Sequence, residues 1–440
     1  MIKENRPWLP AGVRKFFESE FKKIESFSSD DYESSIHSLI RENVEIHDRL
    51  CVNLDPATNT MNPAAEKVLA SGLGSRPSLG YPGEKYETGL EAVEKIEVMA
   101  SHLVKKVFGC DFVEMRVASG AISNLYAFMA TTKPGDTIMV PPPEIGGHVT
   151  HQAAGAAGLY GLKIHHLPVD KKNYTVDAER LSKEISAIKP KLITIGGSLN
   201  LNHHPVSRLR EIADKHGSKL LFDAAHLCGA IAGKAWPDPL TEGAHIMTCS
   251  TYKSLGGPAS GLIMTNTPEI AQRLEAIAFP GMTANFDVAK SAAMALTMLD
   301  WLEFGKDYAA MMLKTAASLA EELTKRGIPA YKSGGVHTRS HQLAIEAAKW
   351  GGGQTLAGKL RKANLLTCGI GLPIDPVEGD MNGLRLGTPE MVRWGMTDKH
   401  TPELAELFVR VMIKGENPES VAPDVSKFRQ SLNSHCFIRK

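Results

Sequence analysis

Residues 219–258 read KLLFDAAHLCGAIAGKAWPDPLTEGAHIMTCSTYKSLGGP, and two runs inside them decide the fold. Leu220–Phe222 and Ile246–Cys249 are short, apolar except for Thr248, and separated by a connector rich in Gly and Pro. Runs of this length predict buried strands rather than helices. Strands that are apolar throughout, instead of alternating, suit a sheet covered on both faces. The same pattern extends outward. DTIMV (136–140), KIHHLPV (163–169) and KLITIG (191–196) precede these two runs, and GLIMTN (261–266) follows them. Between them lie amphipathic helical stretches, such as SRLREIADKHG, which ends at Gly217. Strands alternating with helices predict an α/β protein with a mainly parallel sheet, whose ligands gather at the carboxyl ends of the strands.

Farther out the pattern changes. Residues 1–50 read as polar, amphipathic helix, with Phe16, Phe17, Phe21 and Ile24 at helical spacing and Ser and Asp caps before a second run. Residues 71–92, dense in Gly, Ser and Pro, predict an ordered loop, and 91–109 a helix stopped by Gly109. A long helical stretch over about 288–327 leads into a second, smaller α/β pattern. The expected division is a helical segment (1–50), a large domain (51–300) and a small C-terminal domain (301–440). No internal repeat or low-complexity segment stands out.

Composition narrows the function classes. The 440 residues carry 50 Lys+Arg against 49 Asp+Glu, a balance that argues against a chain-wide grip on nucleic acid or an anionic membrane. No apolar run approaches the roughly 18 residues of a membrane span. The N-terminal residues lack the uninterrupted apolar core of a secretory signal. Cysteines 51, 110, 228, 249, 368 and 436 are scattered and predict free thiols in a reducing, cytoplasmic setting.

The chemistry sits where strands end. Asp223 closes one run, and Lys253 follows the next, thirty positions later. On neighbouring strands they bring a carboxylate and an amine to one cleft, as pyridoxal 5′-phosphate requires: a lysine for the Schiff base and an acid beside the pyridine nitrogen. Taken singly, Asp223 reads equally well as a turn or helix cap, and a lone Lys253 is more often a solvated lysine. ASGAISN (118–124) precedes a helical run and offers backbone N–H groups to a phosphate. GGHVTH (146–151) supplies His148, whose ring suits stacking on a flat cofactor; its spacing to His151 also permits a metal pair, although no third ligand follows.

In chain order, YPG (81–83), ASGAISN, GGHVTH, FDAAHLCG (222–229), STYKSLGGP (250–258) and LRLGTPEMVRWG (384–395) resemble the serine hydroxymethyltransferase family of fold-type-I pyridoxal phosphate enzymes, over roughly residues 50–415. The resemblance implies a homodimer with a shared active site. It makes Lys253 the Schiff-base lysine, Asp223 the partner of the pyridine nitrogen and His148 the stacked histidine. Ser119 and Gly120 become part of a phosphate cup, and Ser198 and His226 neighbours of the cofactor's phenolic oxygen. Ser250 and Tyr252 flank the cofactor, and Arg385 holds the substrate carboxylate, a role that suits a guanidinium fork.

Departures from the family pattern carry information too. Leu79 stands where the family keeps a glutamate that handles protons at the hydroxymethyl group and contacts folate, and Pro77 replaces a tyrosine. Tyr86–Glu87 replace paired tyrosines, so Glu87 reads either as a relocated base or as a solvated loop residue. Tyr252 replaces a histidine, Ala259 an arginine, and Ala284 and Asn285 two glycines of the partner's phosphate loop. The electron sink and carboxylate anchor persist while the proton-transfer and folate apparatus is rewritten. The expectation is a folate-independent aldolase or transaldolase acting at Cα–Cβ of a β-hydroxy, even α-methyl, amino acid and exchanging an aldehyde, with His148, Glu87 or a water as base. Chemistry at Cα–H or at the carboxylate (transamination, racemisation, decarboxylation) and a non-catalytic binding role are the alternatives.

Overall fold

A computed structural model describes residues 6–440; the first five positions of the expected helical segment lie outside the described residues. The chain forms two compact units, one ending at Cys51 and the other beginning at Val52. In the first, α1 (Ala11–Ile24) and α2 (Ser29–Val44) realise the expected helices. Ser28 caps α2: its hydroxyl accepts the Asp31 amide while the Asp31 carboxylate accepts the Ser28 amide, a reciprocal box that fixes where the helix starts.

The second unit is organised on a mixed sheet. Among the described residues its strands are β1 (Phe112–Glu114), β2 (Thr137–Val140), β3 (Lys163–His166), β4 (Leu192–Gly196), β5 (Lys219–Asp223), β6 (Ile246–Ser250) and β7 (Gly261–Thr265). They lie in the order β1-β7-β6-β5-β4-β2-β3. β3, β2, β4, β5 and β6 run parallel, whereas β7 is antiparallel to both β6 and β1. The six strands expected from apolar runs are all present. β1 is the addition, because Phe-Val-Glu is too short to carry a pattern.

The central strands lie where their side chains require. Every residue of β4 and β6 is buried, as are all of β5 beyond Lys219. Phe222, fully buried, packs in the main core with Leu220, Met247 and residues of α4 (Val288–Lys325), while Leu221 and Ile246 face a second core beneath α3 (Gly120–Thr131). Burying each such side chain contributes roughly 1.5–3 kcal/mol, so two-sided burial fixes the pairing of β4, β5 and β6.

Helix α4 runs without a break from Val288 to Lys325 into the C-terminal part of the unit. There β8 (Gln342–Glu346), β9 (Cys368–Ile370) and β10 (Gly383–Gly387) form an antiparallel sheet in the order β8-β10-β9. Helices Gly353–Arg361, Thr401–Met412 and Pro418–Ser431 pack with it in one core. Residues 71–92, expected as loop, include a small antiparallel pairing of Gly80–Tyr81 with Glu84–Lys85. Among the described residues no helix is long and apolar enough to cross a membrane.

Candidate active site

The carboxyl ends of β4, β5 and β6 open on one cavity of about 170 Å³. Ser119, Gly120, His148, Ser198, Asp223, His226, Ser250, Tyr252 and Lys253 all line it, so every residue assigned to the cofactor from the sequence meets there. Gly196 makes the convergence possible. Its φ of +82° turns the chain at the end of β4, and a Cβ there would stand 2.2 Å from the Asp223 carbonyl oxygen. The turn carries Ser198 beside Gly146, whose carbonyl accepts the Ser198 amide at 2.7 Å.

Asp223 lies on the cavity floor, 2% exposed. Its Oδ2 accepts from Asn124 Nδ2 at 3.0 Å and pairs with His151 Nε2 at 2.9 Å, while Oδ1 accepts the Ala225 amide at 3.0 Å. Burial alone would push this carboxyl up, but the hydrogen bond and charge of His151 outweigh it and hold the pKa below the usual carboxylate range. Thr248 in turn donates to Asn124 Oδ1 at 2.7 Å, fixing which way that amide faces. The sequence assigns neither Asn124 nor His151 to the cofactor. Both lie in the motifs that flag the site, but a buried acid's need for partners becomes specific only when the strands are placed. His151 directs its Nε2 to Asp223. Among the described residues no group of three or more His, Cys, Asp or Glu side chains is arranged to hold a metal ion.

Lys253 stands in the loop after β6, 7% exposed, with Nζ 3.2 Å from His226 Nε2. Loss of hydration lowers its pKa to about 8; the Asp223 charge opposes this and the Arg385 charge adds to it. Roughly one amine in ten is then neutral at pH 7, against fewer than one in a thousand for an ordinary lysine. The loop is pinned by its own hydroxyls: Ser254 Oγ accepts the Gly229 amide at 3.0 Å, and Thr251 Oγ1 accepts the Ser260 amide at 3.0 Å. The Thr251 hydroxyl is thus spent on holding the loop.

His226 is buried and its pKa lies well below the ordinary histidine value, driven by desolvation and by the Lys253 and Arg385 charges. The neutral ring accepts through Nε2, which leaves Nδ1 buried without a partner among the described residues. His148 is also held below its usual value, chiefly by burial. Its Nδ1 accepts the Thr150 amide at 3.3 Å and lies 2.9 Å from the Thr150 hydroxyl, so the network assigns the ring proton to Nε2.

Ser119 caps α3 by accepting the Ile122 amide at 3.3 Å, which leaves the first backbone amides of the helix facing the cavity. Gly120 packs tightly there: a Cβ would fall 1.9 Å from Ser250 Oγ. Arg385, on β10, reaches the same cluster. Its Nη1 donates to the Ser198 carbonyl and lies 3.3 Å from His226 Nε2. Glu87 does not join them. Its carboxylate accepts the Leu79 amide at 3.1 Å, and it is not among the residues lining the cavity, so within this chain the short loop returns it to its own backbone.

A buried, partly neutral amine, an ionised acid and a helix start ringed by small residues form a donor set that fits a phosphorylated pyridine aldehyde. Residues 29–408 match the family model described as serine hydroxymethyltransferase. An alpha-methylserine aldolase from Ralstonia sp is 54% identical over 434 residues, 99% of each chain. One from Variovorax paradoxus is 57% identical over 435 residues, covering 99% of this chain and 98% of its own. A serine hydroxymethyltransferase from Methanocella arvoryzae is 37% identical over 383 residues, covering 86% of this chain and 90% of its own.

Proposed function

Because the chain belongs to the serine hydroxymethyltransferase family, we propose that it is a pyridoxal phosphate-dependent, folate-independent aldolase that splits the Cα–Cβ bond of α-methylserine into formaldehyde and alanine. The observation that carries this reading is the site itself. Lys253 and Asp223 line the cavity and Arg385 reaches its wall at Ser198 and His226, while Leu79 stands in the position of the family's folate-facing carboxylate. Full-length relatives named for that aldolase reaction support the choice of substrate.

When bound, pyridoxal phosphate supplies an aldehyde for the substrate amine and a protonated ring that takes up the electron pair of the broken bond. The chain's own residues do the rest. Asp223, kept ionised, holds a proton at the ring nitrogen. The amides at the start of α3, with Ser119 and Ser250, receive the phosphate. His148 walls the ring, with Nε2–H as its free polar edge. Arg385 fixes the substrate carboxylate and thereby sets which bond at Cα is broken. One proton must leave the β-oxygen and one must reach Cα; the Lys253 amine, with its pKa near 8, is able to do both.

A homodimer with a shared site follows from the same family reading. The exposed Tyr86 and the loop around it, which the cavity of their own chain leaves unused, support it. The six cysteines, none of them joined in a disulfide among the described residues, support a reducing, cytoplasmic setting. The test is to supply the purified protein with pyridoxal phosphate and α-methylserine, without folate. Formaldehyde and alanine in equal amounts are expected. Formaldehyde only after tetrahydrofolate is added, or a keto acid in its place, overturns the reading.

A further inference from the structure

The carboxylate anchor has a competitor inside the chain. Asp55 Oδ1 lies 3.7 Å from Arg385 Nη2, an ion pair held beyond hydrogen-bond distance, and a slight rotation would close it into a direct, hydrogen-bonded pair. Such a pair would occupy the guanidinium that the proposed function assigns to the substrate. Cys368 stands between the two. It faces Arg385 in the β9–β10 register, and its Sγ accepts from Arg385 Nε at 3.3 Å and from Nη2 at 3.0 Å while donating to Asp55 Oδ1 at 3.3 Å. Burial pushes the thiol's pKa up to about 11, so it stays protonated and adds no charge. The remaining nitrogen, Nη1, is tied to the Ser198 carbonyl.

We propose that Cys368 is a positioning residue: its thiol fills the space between Asp55 and Arg385, so the guanidinium is oriented without donating a direct hydrogen bond to Asp55 and keeps donors free for the carboxylate of an amino-acid substrate. This role rests on Arg385 being the carboxylate anchor. A thiol suits the task because it is a weak, neutral acceptor and a weak donor, large enough to touch both groups. Alanine would remove the spacer and let Asp55 close on Arg385. Serine keeps a hydroxyl that can bridge both.

The experiment measures steady-state kinetics with α-methylserine and, independently of turnover, calorimetric binding of alanine and of 2-aminopropan-1-ol, which has the α-methylserine skeleton without its carboxylate. Holoenzyme is used throughout. Cys368→Ala is expected to raise the α-methylserine KM and weaken alanine binding about tenfold, with a smaller effect on kcat. Binding of 2-aminopropan-1-ol should not change. Cys368→Ser should recover most of the loss, and adding Asp55→Asn to Cys368→Ala should recover it too, because the competitor is then gone. Equal weakening of all ligands, or no recovery with Asp55→Asn, overturns the proposal. If the native protein does not cleave α-methylserine, the functional reading fails, while the alanine titrations still decide the role of Cys368.

Discussion

His151 Nε2 and Asp223 Oδ2 lie 2.9 Å apart, both side chains almost wholly shielded from water. The pair decides the charge state of the site. A carboxylate at this depth is stabilised only by donors, and His151 and Asn124 on Oδ2 and the Ala225 amide on Oδ1 are the ones present. Replacing His151 with Phe removes one donor and keeps the ring volume. Pyridoxal phosphate affinity, measured by equilibrium dialysis, should fall about tenfold or more, in line with the roughly 1.5–3 kcal/mol of a hydrogen bond to a charged group. Asp223→Asn should lower turnover much further with the cofactor still present, because the neutral amide no longer favours a protonated ring nitrogen.

Lys253 makes a prediction about pH. Its pKa of about 8 in the folded chain lies below the 10.5 of an ordinary lysine. The rate at which the cofactor-free protein captures pyridoxal phosphate should therefore climb with pH and level off just above 8, not above 10. Stability carries the matching sign. Below pH 8 both folded and unfolded chains hold the proton, and the buried charge destabilises the fold by an amount on the order of 3 kcal/mol. Between 8 and 10.5 only the unfolded chain holds it, so this contribution to stability rises with pH. Lys253→Met should accordingly raise the Tm of the cofactor-free protein at pH 7 and leave it nearly unchanged at pH 10.5.

Much of the sheet and its reactive edge is legible in the amino-acid sequence, and the reason is physical. Strands buried on both faces announce themselves as apolar runs, and a parallel sheet delivers the residue at each run's end to a common edge; Asp223 and Lys253 pair on that ground. The choice of hydrogen-bond partners is not legible. His148 and His151 sit one helical turn apart in the sequence, yet one lines the cavity and the other is drawn to Asp223 beneath it. Asp55 and Cys368 are more than three hundred residues apart and carry no motif; only the β9–β10 register brings the thiol to Arg385. Glu87, which the sequence leaves open as either a base or a solvated carboxylate, bonds to its own loop.

Gly120 tests the start of α3. Any side chain there would press on Ser250, whose Oγ lies 1.9 Å from the position of a Cβ. Gly120→Ala should therefore displace Ser250 from the cavity wall and weaken cofactor binding about tenfold, with the circular dichroism of the fold preserved. Combining it with Ser250→Gly makes room for the methyl group. The double variant should bind the cofactor no more weakly than Ser250→Gly alone if crowding is the cause, and more weakly if the helix start itself is distorted.

Arg385 supplies the last prediction. Its Nη1 is engaged by the Ser198 carbonyl and its Nε by Cys368, so the substrate carboxylate meets donors that are already oriented. A lysine at this position keeps the positive charge but offers a single ammonium, which cannot hold the Ser198 carbonyl and a carboxylate in one fixed geometry. Arg385→Lys should raise the KM for α-methylserine about a hundredfold, the scale expected when a charged, two-pronged hydrogen bond is reduced to one prong. Binding of 2-aminopropan-1-ol should be nearly unaffected, since that ligand makes no demand on the anchor. The orientation of the substrate gives a second readout. With the carboxylate loosely held, the Cα hydrogen of alanine is less often presented to the ring, and the share of alanine molecules that exchange it with solvent in a fixed time should fall. Mass spectrometry of alanine incubated in deuterated water measures that share directly. A Lys variant with native KM and an unchanged exchange ratio would place the carboxylate elsewhere.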